Sequence, residues 1–295
     1  MIYDNICFVM NVERYIDKLE DLTNKKVLVT GGTSGIGLAI VKALLNKNAT
    51  TIVLARNLLK ANSIKEELLK TYPNNPIGII EYDQGNEESV VTASELIAKE
   101  HADFYAIILN AGIFQTKKKM DYVHDVPQTI NTNFVGLDIF LDSLLSKLDG
   151  SHRFILQGSL VADFKPKKIT SLKTHKLSSF QQYALSKCGV ESLFSHYSQT
   201  YKEQSFYLVE PGVTSTDIIR DFPNIIRVLG KGFLKVFSHS NQRASLTALL
   251  ALQSNIDKDS YIVPRGLFTT MGYPKIKKFP KKRERPYLYD LLKEL

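Results

Sequence analysis

The stretch VLVTGGTSGIG at residues 27–37 constrains this chain more than any other, because it carries a short apolar run through a glycine-rich turn into an amphipathic one. Val27, Leu28 and Val29 have the apolar character and polar boundaries of a buried parallel strand, whereas Ile36, Leu38, Ala39, Ile40, Ala43 and Leu44 fall at helical spacing. The turn between them has a mechanical reading. Gly31 permits the tight turn, Gly35 lets backbone approach a pyrophosphate, and Gly37 lets the helix pack closely on the sheet, with phosphate charge over the helix N-terminus. Taken alone, G-x-x-x-G-x-G is equally the pattern of a glycine-rich surface turn.

Further strand and helix patterns alternate along the chain. Strand-like runs at 51–54, 77–82, 105–109, 154–156 and 206–209 are separated by helical patterns at 60–70, 87–99, 128–148 and 181–201. Six such units predict an α/β fold, a doubly wound parallel sheet in a single Rossmann-like domain, and the length of 295 residues suits one large domain. Val12, Ile16, Leu19 and Leu22 predict a short amphipathic helix in an N-terminal extension of residues 1–25. In such a sheet, ligands bind outside the carboxyl ends of the strands. The loops there read Asn110-Ala111-Gly112, Gly158-Ser159 and Glu210-Pro211-Gly212.

In this order these motifs resemble the short-chain dehydrogenase/reductase family from about Lys26 to about Gly266. The turn residues Gly31, Thr33, Ser34, Gly35, Ile36 and Gly37 match the family's cofactor turn, and Asn110, Ala111 and Gly112 its NAG motif. Asn133 matches its helix asparagine and Ser159 its catalytic serine. Tyr183 and Lys187 match its Y-x-x-x-K pair, and Pro211, Gly212 and Thr216 the segment that closes on the nicotinamide. With 14 tyrosines, Y-x-x-x-K is expected about once by chance and occurs three times. Tyr273 and Lys277 flank Pro274, which spoils a helix, and Tyr289 with Lys293 has no strand after it. Only Tyr183 follows a strand-end serine and opens a long helical pattern leading into another strand, which puts it on one helix face with Lys187.

Hydride transfer to a carbonyl needs a proton donor and a hydrogen-bonding group at the oxygen. Tyr183 is the expected donor, its pKa of about 10 lowered by the nearby Lys187 charge. The resemblance implies that Lys187 also holds the nicotinamide ribose, that Ser159 bonds the substrate oxygen, and that Asn133 positions a water linking Lys187 to solvent. At the end of the second strand no acid is present, and Arg56 matches the phosphate-binding position of NADP-preferring relatives, so NADP(H) is expected over NAD(H). A solvated arginine is the plain alternative. Asp83 matches the adenine-contacting residue, or caps a turn.

The loop between Ser159 and Tyr183 carries Lys165, Lys167, Lys168, Lys173, His175 and Lys176, and its length resembles the retinol-dehydrogenase-like branch. With Lys117, Lys118 and Lys119 it makes two loops basic, read either as solvated lysines or as a match for an acidic substrate or partner. His175 is expected to be a surface histidine. Residues 222–237, FPNIIRVLGKGFLKVF, fall in an expected substrate lid at about 214–240, or form a membrane-surface helix; either suits a lipophilic carbonyl or alcohol. The catalytic domain is bounded at 26–270. Residues 271–295 form a basic tail, expected to be solvated rather than to bind nucleic acid.

No run reaches the roughly 18 apolar residues of a membrane span, no metal ligands are expected, and Ile6–Met10 is too short for a secretory signal. Cys7 and Cys188 suggest no disulfide framework, so a reducing cytoplasm is expected. The net charge of +8 suits solubility, nucleic-acid contact or an acidic ligand. The resemblance implies a homodimer or homotetramer. The rival class is an NADP(H)-sensing regulator without turnover, and against it stands the complete set of Asn133, Ser159, Tyr183 and Lys187, which a sensor does not need.

Overall fold

The computed structural model describes residues 11–116, 120–166, 168–214, 240–266 and 269–295. The expected lid segment 222–237, Thr216, Lys117–Lys119, Lys167 and Cys7 lie outside them. The elements run α1 (Val12–Asp17), β1 (Lys26–Thr30), α2 (Gly35–Asn46), β2 (Thr50–Ala55), α3 (Leu58–Thr71), β3 (Ile77–Glu81), α4 (Glu87–Glu100) and β4 (Ala106–Leu109). A hairpin follows, β5 (Tyr122–Val123) with β6 (Val126–Pro127), then α5 (Gln128–Ile130), a π-helical turn (Asn131–Val135) and α6 (Gly136–Leu145). Beyond lie β7 (Arg153–Gln157), a 3-10 turn (Leu160–Phe164), α7 (Ser179–Thr200), β8 (Ser205–Val209), α8 (Asn241–Leu250), β9 (Ser260–Pro264), β10 (Pro274–Lys277), a second 3-10 turn (Lys281–Arg283) and α9 (Pro286–Lys293).

The main sheet has the order β10-β9-β8-β7-β4-β1-β2-β3, parallel except for β10, which pairs antiparallel with β9. Period-two alternation sends Leu28, Ile107, Phe154 and Phe206 into one face and Val27, Val29, Ile108 and Tyr207 into the other. Helices α4, α6, α7 and α9 cover the first face through residues such as Ile97, Phe140, Leu193 and Leu288. Helices α1, α2, α3 and α8 cover the second through Ile16, Leu44, Leu68 and Leu249. The helices start where side chains can satisfy their first amides: Asn57 accepts from Lys60 N at 2.9 Å, Asn86 from Ser89 N at 2.9 Å, and Ser178 forms a reciprocal box with Gln181.

Strand order reverses at β1. The chain proceeds from β1 to β2 and β3 on one side, then crosses to β4 on the other, and opens a crevice at the carboxyl ends of β1 and β4. This is the doubly wound sheet expected from the alternation, with three departures. The helix expected over 128–148 is broken into α5, the π turn and α6. Strands β9 and β10 extend the sheet beyond the six expected. The basic tail is not solvated throughout: it supplies β10 and α9, with Leu288 and Leu292 in the core and Arg283 only 5% exposed.

Candidate active site

The predicted residues that are described, all but Thr216, converge on the carboxyl edge of the sheet. Gly31 and Gly35 both take positive φ, 67° and 54°, in the turn after β1. A Cβ on Gly37 would lie 2.2 Å from the Gly31 carbonyl oxygen, so only glycine lets α2 start this close to the strand, whereas a Cβ on Gly35 would meet nothing within 4 Å. Ser34 precedes the helix without a side-chain bond to its first amides. The turn is therefore an open cradle of backbone N–H groups at a helix N-terminus, which fits a dinucleotide's pyrophosphate.

Asn110 and Ala111 stitch β4 to β1: Asn110 Nδ2 donates to Thr30 O at 3.0 Å, and Ala111 N donates to Thr30 Oγ1 at 2.9 Å. A Cβ on Gly112 would lie 3.3 Å from Asn133 Oδ1 and 3.7 Å from Lys187 Nζ, which places this turn beside the relay residues. Asn133 sits in the π turn. Its amide accepts from Ile113 N at 2.8 Å, donates to Ile113 O at 2.9 Å and donates to Ser186 Oγ at 3.0 Å. One asparagine thus pairs with a backbone as a strand would, and the local widening of the helix turns its side chain to do so.

Ser159 caps the 3-10 turn after β7, its hydroxyl accepting from Val161 N at 3.2 Å. Tyr183 and Lys187 lie one turn apart on α7, both buried. Lys187 Nζ stands 5.9 Å from the Tyr183 ring centroid and donates to Gln157 O at 2.8 Å. The Phe114 ring stands edge-on to Tyr183, with centroids 5.5 Å apart. Burial pushes the Tyr183 phenol up to about 12, with the Ser159 hydroxyl opposing it, and burial pushes Lys187 down to about 8. The expected lowering of Tyr183 by Lys187 is thus not present here. Desolvation outweighs the charge, because the ammonium points at the Gln157 carbonyl.

Arg56 is largely exposed, with its guanidinium 3.8 Å from Asp83. Asp83 turns its other oxygen to Gly85 N at 3.0 Å, the turn-capping alternative. Pro211 and Gly212 leave β8 in an extended turn, Gly212 at φ 76°, and Val213 N donates to Thr270 O at 2.7 Å. His175 is an exposed histidine tilted against Tyr122, with ring centroids 4.1 Å apart, and stands 3.2 Å from Asp125. Thr30, Gln157, Ser186 and Phe114 were not singled out from the sequence; each acts through a hydrogen bond or ring contact to a residue far along the chain, which leaves no spacing pattern. A separate cleft of about 600 Å³ between α1, α2 and α8 shares only Gly35 with these residues. Among the described residues no helix is long and apolar enough to cross a membrane, and no group of three His, Cys, Asp or Glu side chains is arranged to hold a metal.

A family model described as short chain dehydrogenase matches residues 25–224. A chloroplastic short-chain dehydrogenase of Brassica napus, TIC 32 B, is 30% identical over 133 residues, which cover 45% of this chain and only 41% of that protein. An uncharacterised oxidoreductase of Mycobacterium tuberculosis is 25% identical over 205 residues, 68% of this chain and 77% of that protein. The crystal structure of an uncharacterised protein from Mycobacterium paratuberculosis shares the fold at a TM-score of 0.72 and 19% identity, over 95% of this chain and 96% of that one.

Proposed function

The chain belongs to the short-chain dehydrogenase/reductase family of NAD(P)-dependent oxidoreductases, and from that premise we propose that it interconverts a lipophilic ketone or aldehyde and its alcohol with NADP(H). The observation that carries the reading is the Tyr183–Lys187 pair on one buried face of α7, with Lys187 Nζ 5.9 Å from the Tyr183 ring centroid and bonded at 2.8 Å to Gln157 O at the end of β7.

The glycine cradle after β1 would hold the pyrophosphate, Lys187 the nicotinamide ribose, and Arg56 the 2′-phosphate that separates NADP(H) from NAD(H). A bound nicotinamide supplies the hydride. In reduction, the carbonyl carbon gains that hydride while its oxygen takes the Tyr183 proton, and Ser159 donates a hydrogen bond to the same oxygen as charge grows on it. With its pKa near 12, Tyr183 is a phenol at neutral pH, the form that a reduction consumes. Lys187, charged below about pH 8, would stabilise the phenolate left behind once its ammonium turns from the Gln157 carbonyl toward Tyr183. Asn133 fixes the loop at Ile113 and would order the water that returns a proton from solvent. Phe114 against Tyr183, and Phe164 near Phe180 at 6.2 Å, supply apolar surface for the substrate body. The expected lid would complete it. A cytoplasmic location and a homodimer or homotetramer belong to the same proposal.

NADPH oxidation over a panel of carbonyl compounds, with cofactor binding followed by fluorescence, tests this. The wild type should turn over long apolar aldehydes with a KM for NADPH at least about tenfold below that for NADH, as expected for one charge-assisted phosphate bond. Tyr183→Phe should abolish turnover and keep NADPH affinity. An active Tyr183→Phe protein would overturn the assignment, and NADPH binding without turnover of any compound would return the sensor reading.

A further inference from the structure

The residues after 224 lie beyond the stretch that the family model matches, yet Arg283 reaches behind the candidate site. Its guanidinium is buried and bonds to Glu191 and, at 2.6 Å, to Glu210 Oε1. A further N–H donates to Tyr261 OH at 2.6 Å, and Nε stands 3.7 Å from Asp163. Both glutamates are fully buried. Glu191 also takes Arg285, whose carbonyl accepts from Ser192 Oγ at 3.0 Å. Two arginines thus face two carboxylates inside the protein.

The position of the two carboxylates gives the cluster its meaning. Glu191 follows Lys187 by four residues and Tyr183 by eight, so it continues the same stripe of α7. Glu210 immediately precedes Pro211-Gly212 at the end of β8. Asp163 belongs to the 3-10 turn that Ser159 caps. A planar guanidinium whose Nη2 bridges the two carboxylates while Nη1 holds the Tyr261 hydroxyl fixes angle as well as distance, which an apolar contact does not, and buried ionic groups add little stability over apolar replacements.

We propose that Arg283 is a positioning residue that registers α7 against the end of β8, and thereby sets the Tyr183–Lys187 pair relative to the Pro211–Gly212 turn. This rests on the reductase reading above. Burial of the guanidinium then serves geometry: a small slip between α7 and β8 misplaces the proton donor relative to the cofactor turn, and such slips cost rate steeply.

Arg283→Lys keeps the charge, so neither carboxylate is left alone, but loses the planar guanidinium that joins Glu191, Glu210 and Tyr261. A second variant, Arg283→Met with Glu191→Gln and Glu210→Gln, removes the charges together. Lys282→Ala, at an exposed neighbour, is the control. We expect both cluster variants to fold, with kcat lower by about tenfold or more and KM for NADPH raised, and the control unchanged. In the proteins without cofactor, amide exchange should quicken at Val213 and in the first turns of α7 while β1–β3 exchanges as in the wild type. Wild-type kcat in Arg283→Lys, exchange raised uniformly along the chain, or a triple variant that does not fold would each overturn the proposal and leave Arg283 as a structural tie. Inactivity of the wild type itself would strike the reductase reading instead, and the exchange pattern would still decide the positioning role.

Discussion

Lys187 is buried, and its ammonium is held by a single carbonyl at 2.8 Å. Desolvation lowers its pKa from 10.5 to about 8. Below pH 8 the amine is charged in both the folded and the unfolded chain, so the full cost of burying the charge is present. Between 8 and 10.5 the unfolded chain keeps a proton that the folded one releases, so stability rises with pH, and above 10.5 the cost is gone. The interval corresponds to about 3 kcal/mol at neutral pH. Lys187→Met should therefore stabilise the cofactor-free protein at pH 7 by up to about 3 kcal/mol, an advantage shrinking to about half by pH 9.5. Urea unfolding at the two pH values measures it, and a variant less stable than wild type at pH 7 would contradict the burial argument. The pairing of Tyr183 with Lys187 was legible because a four-residue spacing on a helix is a sequence property. The upward shift of Tyr183 was not, since it depends on what surrounds the ring.

Among the elements, the turn between β1 and α2 separates two kinds of glycine requirement. At Gly37 a methyl group would collide with backbone at 2.2 Å, so Gly37→Ala must push α2 from the strand and should both destabilise the protein and spoil cofactor binding. At Gly35 the space is open but φ is 54°, where a side chain costs roughly 1–2 kcal/mol. Gly35→Ala should leave a folded protein only slightly less stable while placing a methyl group in the phosphate cradle, with NADPH affinity falling much more than the unfolding free energy. Equal losses in both variants would remove the cradle from its assigned role. The strand and helix alternation that frames this turn was readable from periodicity. The break at Asn131–Val135 was not: its residues carry no helix breaker, and the π turn is stabilised by the Asn133 bonds to Ile113, twenty residues away. Strand β10 also escaped, being an exposed edge of four residues with two lysines, the pattern by which edges avoid further pairing.

At the scale of the whole molecule, the C-terminal segment closes the first face of the sheet. Its sequence is dominated by Lys and Arg, and the charge count outweighed two apolar residues at a four-residue spacing, Leu288 and Leu292. Those two decide its place, because α9 lays them against α7 and into the core shared with β7 and β8. The Tyr289 ring stacks on His196 of α7 with centroids 3.6 Å apart, and Lys293 stands 3.7 Å from the buried Asp138 of α6. The exposed lysines of the same segment make no comparable contact: Lys281 and Lys282 face solvent. Truncating a buried leucine removes transfer energy and leaves a cavity, together about 2–5 kcal/mol, whereas surface substitutions stay within about 0.5 kcal/mol. Leu288→Ala should therefore lower the free energy of unfolding by about 2–5 kcal/mol, with a single cooperative transition, and Lys281→Ala should not measurably change it. Chemical denaturation of the two variants beside the wild type decides the matter. If Leu288→Ala unfolds at the wild-type midpoint, α9 does not belong to the core and the segment reverts to a solvated tail. If instead the transition splits into two steps, α9 detaches before the sheet unfolds and its contribution is local.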